Sequence, residues 1–247
     1  MDKIKKAFEN GANIGYIVAG YPSIEHTKNF LNSLDECALD IVEIGIPYSD
    51  PLADGPVVFN ASFQAVQNGV NTDTVFKILS EVETKKPLIF LVYFNLIFAY
   101  GMKKFIKKCA ETGISGLIIP DLPFEENEEI FKLCEKEKIA LIPLISITSE
   151  HRAKKVLSRA GGFIYAISAI GVTGTKLTPM ERLKNMLSDL KKMSDLPVAV
   201  GFGIRTNEDI RNMRKYADGV ILGTSIVKLS GEFEGKEFLQ KINELFK

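Results

Sequence analysis

Apolar residues along this chain come in short runs, and the stretches between them repeat apolar positions at three and four residue spacing. The runs begin at residues 13 (NIGYIVAG), 40 (DIVEIGI), 88 (LIFLVYF), 116 (GLIIPDL), 140 (ALIPLIS), 162 (GFIYAIS), 197 (PVAVGFG) and 219 (GVILGTS). Their length and β-branched content predict strands, while stretches such as HTKNFLNSLDECA, TVFKILSEVETK, KKFIKKCAETG, NEEIFKLCEKEK and EDIRNMRKYA predict amphipathic helices. Strands joined by helices pair in parallel, and eight such units are the number that closes a (β/α)8 TIM barrel. A doubly wound open sheet is the alternative, but no GxGxxG follows the first strand. The pattern therefore predicts an α/β fold, a (β/α)8 barrel with a short extra N-terminal helix and a short helix after the eighth strand.

Two connections are longer than the rest: the one after the second strand, about 47 to 86, and the one after the sixth, about 169 to 196, which begins IGVTGTKLTP. In a barrel, the loops that follow strands line the active face, so both expansions belong there.

Composition adds few constraints. The chain has 247 residues, 46% of them hydrophobic, and is expected to form one TIM-barrel domain over 1–247. A formal net charge of zero with scattered basic residues gives no footprint for nucleic acid or an anionic membrane. Cys37, Cys109 and Cys134 lack metal-like spacing and fall in helical patterns, which predicts buried, reduced thiols. The start, MDKIKKAFENGAN, carries alternating charge, and no apolar run approaches the twenty or so residues needed to span a bilayer. A cytoplasmic location is expected.

The candidate chemistry is concentrated in EIGIPYSDPLADGP, residues 43–56. Strand alternation sets Ile41, Glu43 and Gly45 on one side and Val42, Ile44 and Ile46 on the other. Outward barrel positions pack against helices and favour Val and Ile, so Glu43 should point inward near the strand's carboxyl end. Loss of hydration there raises a carboxyl's pKa toward the range useful for proton transfer. A buried hydrogen-bond network is the bland reading of such a glutamate; its position favours function. Asp50 and Asp54 follow in a loop stiffened by Pro47, Pro51 and Pro56, with Gly55 allowing a tight turn. Loop aspartates are more often turn or cap residues, but the stiffness suits a second working carboxylate. Glu43, Asp50 and Asp54 are also conceivable metal ligands, yet His26 and His151 each begin helix-like stretches, and no metal is expected.

GFG at 201–203 and LGTS at 222–225 follow the seventh and eighth strands, where many barrels bind phosphate through backbone N–H groups and a short helix's amino end. Gly171 and Gly174 in the sixth loop offer further donors. Neither glycine motif contains Lys or Arg, which fits a phosphorylated small molecule better than a polyphosphate. Tyr16, Leu91, Tyr93, Tyr165 and Phe202 lie in or just after strands near the same mouth. Each alone reads as core, but together they are placed to sandwich a flat apolar ring.

EIGIPYSDPLADGP, with YIVAGYP upstream and YFNLIFAYG, GVTG, GFGI and ILGTSIVK downstream, resembles the α subunit of tryptophan synthase over essentially the whole chain. The resemblance implies a TIM barrel that cleaves indole-3-glycerol phosphate to indole and glyceraldehyde 3-phosphate without a cofactor of its own. It also implies a pyridoxal-phosphate β subunit as partner, usually in an αββα assembly, which receives indole through an internal tunnel. By motif position, Glu43 corresponds to the general acid/base and Asp54 to the carboxylate that engages the indole N–H. Tyr16, Leu91, Ile118, Tyr165 and Phe202 should enclose the indole, with Tyr93 near the catalytic pair. Gly174, Gly203, Gly223 and Thr224 should bind phosphate, Thr173 belongs to a lid over the substrate, and Pro47 and Asp50 fall where the second loop meets the β subunit.

Some positions depart from common versions of the family: Thr224 stands for serine, Ala169 for an arginine, and Tyr21 for an acidic residue. None touches the two carboxylates. Rival readings are another phosphate-binding barrel enzyme, such as an isomerase or an indole-glycerol-phosphate synthase, and a non-catalytic partner of a β subunit. A synthase is expected to need an inward lysine, which these strands lack, and a pure scaffold would not need Glu43 and Asp54.

Overall fold

The computed structural model describes residues 2–52, 54–168, 179–201, 204 and 206–247. Nine parallel strand segments form its sheet: β1 Ala12–Val18, β2 Ile41–Gly45, β3 Leu88–Leu91, β4 Ile114–Ile118, β5 Ala140–Leu141, β6 Leu144–Ser146, β7 Ile164–Ile167, β8 Val198–Gly201 and β9 Gly219–Leu222. The order β5-β4-β3-β2-β1-β9-β8-β7-β6 starts and ends on the two halves of one predicted strand. That strand is interrupted at Pro143, which has no N–H to give a ladder. Ile142 N still donates to Leu117 O at 2.8 Å, and Pro143 O accepts from Tyr165 N at 3.0 Å. The halves therefore bridge β4 to β7 and close the TIM barrel.

Alternation sorts side chains as the sequence predicts. Ile14, Ile41, Ile89, Ile118, Ala140, Ile142, Phe163, Ala199 and Ile221 belong to one buried cluster, the barrel interior. Val42, Ile44, Phe90, Leu117, Val200 and Val220 belong to a second, between sheet and helices. The short helix Asp2–Ala7 lies against the first cluster, with Ile4 fully buried among its residues and the Phe8 ring tilted against Phe163, centroids 5.4 Å apart. Gly162, at φ +75°, lies beside it, where a Cβ would crowd Ala140 and Ile142 and touch Ile4. The N-terminal helix thus plugs the end of the barrel opposite the strands' carboxyl ends.

Helices Ile24–Asn32 and Thr72–Ser80 start on Ser23 and Asn71, whose side chains accept from the backbone N–H groups of His26 and Thr74. Thr206 and Asp209 form a reciprocal capping box at Asn207–Met213. The first predicted helix ends early, at Asn32, and Cys37 lies just past a 3-10 turn, Leu34–Glu36. All three thiols are free and buried, and burial raises their pKa. Two unpredicted helices, Pro56–Gln67 and Phe94–Tyr100, occupy the connections after β2 and β3. The chain closes with helices Thr224–Glu232 and Gly235–Leu245. Among the described residues no helix is long and apolar enough to cross a membrane.

Ile4→Ala should open a void beneath the barrel and lower unfolding free energy by about 2–4 kcal/mol. Urea denaturation followed by circular dichroism measures it, and a loss under about 1 kcal/mol would mean that the helix is not a structural plug.

Candidate active site

The pocket at the carboxyl ends of the strands is lined by Tyr16, Glu43, Asp54, Val58, Leu91, Tyr165, Ile204, Ile221, Gly223 and Thr224. Glu43 reaches it because β2 pairs in register between β1 and β3, Tyr16 opposite Glu43 and Glu43 opposite Ile89. Its inward neighbour Gly45 matters for the same reason: a Cβ there would collide with the Tyr16 hydroxyl. Gly201 makes the matching space for the Tyr165 ring. Two strand glycines therefore let two tyrosines lie across the barrel mouth.

Glu43 is 1% exposed, and neither carboxyl oxygen has a hydrogen-bond partner among the described residues. Desolvation raises its pKa from 4.5 to about 8. Asp54, half-buried in the loop after β2, is pushed up by burial to about 6 and restrained by a hydrogen bond from the Tyr93 hydroxyl. Near pH 7 one carboxyl is mainly protonated and the other mainly ionised. The Tyr16 and Tyr165 hydroxyls, buried beside both, are raised well above the usual tyrosine range and stay protonated. The walls are otherwise apolar, supplied by Leu91, Val58, Ile204 and Ile221.

Gly223 and Thr224 lie on another side of the pocket, at the amino end of helix Thr224–Glu232. Unpaired N–H groups and the helix dipole make such an end receptive to an anion. Tyr21, the departure noted in the first loop, packs its hydroxyl end on Gly231 of this helix.

The structure thus gathers Tyr16, Glu43, Asp54, Leu91, Tyr165, Gly223 and Thr224 at one pocket, with Tyr93 joined through Asp54. Ile118 faces inward opposite Leu91 but is wholly buried in the interior cluster and does not line the pocket. Thr173, Gly174, Phe202 and Gly203 lie outside the described residues, as do Ala169 and Gly171. Asp50 is exposed, whereas Pro47 is buried beneath the loop surface, where Leu52 is 70% exposed. Val58, Ile204 and Ile221 are additional lining residues that sequence reading missed. Ile221 had a signal in its alternation with Val220 and Leu222; Val58 had none, because its helix was not foreseen. Among the described residues no group of three or more His, Cys, Asp or Glu side chains is arranged to hold a metal ion.

Comparison with known proteins gives a consistent result. The family model described as "Tryptophan synthase alpha chain" matches residues 2–246. A tryptophan synthase alpha chain of Campylobacter jejuni subsp. doylei is 44% identical, with 100% of both chains covered. One from Lacticaseibacillus casei is 44% identical over 93% of this chain and 87% of its own. Among solved structures, tryptophan synthase subunit alpha from Campylobacter jejuni superposes with a TM-score of 0.89 at 44% identity, covering 98% of each chain. A Mycobacterium tuberculosis tryptophan synthase chain gives 0.89 at 30% identity, covering 99% of this chain and 95% of its own.

The Glu43 carboxyl also predicts a pH-dependent stability. Its folded pKa lies above the unfolded one, so the folded protein holds an extra proton between about 4.5 and about 8. This contribution is complete below pH 4.5 and lost as pH rises through 8. Glu43→Gln should remove that loss and raise the unfolding free energy at pH 8–9 by on the order of 2–4 kcal/mol, seen as a higher melting temperature, with little gain at pH 4. Thermal melts of both proteins across this range test it; equal melting temperatures at pH 9 would show that the carboxylate is not desolvated.

Proposed function

The chain belongs to the tryptophan synthase alpha chain family, and we propose that Glu43 and Asp54 perform the family's cleavage of indole-3-glycerol phosphate to indole and glyceraldehyde 3-phosphate. The family's alpha chains carry no cofactor and partner with β subunits, which hold the pyridoxal phosphate. The observation that carries the proposal is the division of labour at one pocket: a desolvated, protonated Glu43 faces a space shared with an ionised Asp54.

Breaking a carbon–carbon bond to an aromatic ring needs a better leaving group than an indolyl carbanion. Protonation at C3 supplies it, and Glu43 is the acid in place, because at neutral pH its carboxyl keeps its proton. The protonated ring becomes an iminium-like cation with its charge partly on the ring N–H. Asp54, as the carboxylate, accepts that N–H and offsets the developing charge in a water-poor site. As the bond breaks, the side-chain hydroxyl loses its proton to give the aldehyde. Glu43, by then ionised, takes it and returns to its starting state. The flat ring lies between Tyr16, Leu91, Tyr165 and Ile221, and the phosphate is bound at Gly223 and Thr224. Phe202, Gly203, Gly174 and Thr173 keep the roles that the family motif gives them. The exposed Leu52 and Asp50, on the loop that carries Asp54, form a surface for the β subunit that receives the indole. We place the activity in the cytoplasm, as a single domain over 1–247.

In complex with a β subunit, Glu43→Gln and Asp54→Asn should each reduce indole release from indole-3-glycerol phosphate by at least about 10²-fold while the fold and phosphate binding persist. Wild-type cleavage in either variant would overturn the assignment. The ionisation states set a second test. Activity requires Asp54 ionised, so kcat/KM should fall as pH drops through about 6; it requires Glu43 protonated, so it should fall again as pH rises through about 8. A profile flat from pH 5 to 9 would contradict both roles.

A further inference from the structure

Asp54 sits on a loop, and a catalytic carboxylate must be held to a fraction of an ångström. Tyr93 accounts for one restraint, since its hydroxyl donates to the Asp54 carboxylate. Tyr93 itself is only the residue preceding helix Phe94–Tyr100, and it makes no side-chain cap to that helix. Its ring packs against Tyr48, with centroids 5.4 Å apart and planes inclined by 34°.

Tyr48 is fastened at both ends. Its backbone N–H donates to Ser62 Oγ at 2.8 Å, and Ser62 Oγ donates back to the Tyr48 carbonyl at 3.0 Å. Its phenolic oxygen accepts from Asn95 Nδ2 at 3.0 Å. Ser62, 4% exposed, belongs to helix Pro56–Gln67, which starts just after Asp54. Asn95 belongs to helix Phe94–Tyr100, which starts just after Tyr93. The amino end of that helix is fixed in turn by Phe94 N donating to Asp121 Oδ1 at 2.8 Å. Tyr48 therefore joins the two connections that carry the Asp54 carboxylate and the hydroxyl bonded to it, while lying outside the pocket lining.

We propose that Tyr48 is a positioning residue for the cleavage reaction, its ring and its hydroxyl bond to Asn95 holding the Tyr93 hydroxyl on Asp54. The inference rests on the assignment of Asp54 to the substrate's ring nitrogen. It extends that assignment to a residue that touches no reacting atom. Loss of the Tyr48 hydroxyl leaves the ring contact in place but releases one helix from the other, so the Tyr93–Asp54 bond is less often formed. Asp54 then loses the contact that opposes its desolvation and titrates higher.

The test uses the complex with saturating β subunit and indole-3-glycerol phosphate as substrate, comparing wild type, Tyr48→Phe, Tyr93→Phe, their double variant and Asp54→Asn. Tyr48→Phe should lower kcat about 3- to 10-fold with KM nearly unchanged, the range expected from one lost hydrogen bond. Its acid limb in kcat/KM should move to higher pH. The double variant should be no slower than Tyr93→Phe, because both substitutions act through one contact. Melting curves confirm that each variant is folded. Additive losses, an unchanged acid limb, or an effect confined to KM or to β-subunit affinity would each overturn the proposal. If Asp54→Asn cleaved normally, the underlying assignment would fail instead; an inactive Asp54→Asn beside a silent Tyr48→Phe would overturn the positioning role alone.

Discussion

A carboxyl group enclosed on every side, without a hydrogen bond among the described residues, is the constraint around which the rest of the site is arranged. A buried carboxylate without a partner is expensive, and the group responds by keeping its proton. A protonated Glu43 at neutral pH is thus a consequence of where β2 places it, and no neighbouring charge is required. The enclosure depends on register: Glu43 lies between Tyr16 and Ile89, and the glycine above it gives Tyr16 its space. A slip of one residue in β2 would turn the carboxyl outward among the helices and bring Ile44 into the mouth.

Asp54 is treated in the opposite way. It is partly buried, hydrogen-bonded to Tyr93 and supported by a loop tied to the helices on either side. Two acids of the same chemistry thereby acquire different protonation states in one pocket, the arrangement an enzyme needs when it must donate a proton at one atom and stabilise positive charge at another. The helix terminus at Gly223 and Thr224 adds the partial positive charge of backbone dipoles to the polarity of the site. Among the described lining residues there is no cation, so none of them offers either carboxyl an ion pair that would hold its pKa down.

The opposite end of the barrel serves stability. Helix Asp2–Ala7, Ile4 and the Phe8–Phe163 pair fill the end opposite the candidate site. Separating a packed floor from a chemically exposed mouth lets the mouth hold an unfavourable group without unfolding the whole. The price is visible in the falling stability expected between about pH 4.5 and pH 8.

Much of this was legible in the sequence because its causes are local. Alternation in DIVEIGI turns Glu43 inward whatever the neighbours are, the eight apolar runs require parallel pairing, and the motif in residues 43–56 is specific enough to give the family. The break at Pro143 was also written in the chain, but its effect was not: only with β4 and β7 in place does a broken strand become the seam that closes the barrel. Ile118 shows the same limit, since strand position put it inside while its depth in the barrel depends on neighbours far along the chain. Tyr48 reads as a loop aromatic, and its link to Asp54 through Tyr93 exists only after two separate connections fold against each other. The sequence by itself determined which side chains face inward and which family they serve, because periodicity and motif are properties of the chain. Tertiary structure alone decided the protonation of the two carboxyls, because desolvation is set by every element that excludes water from them.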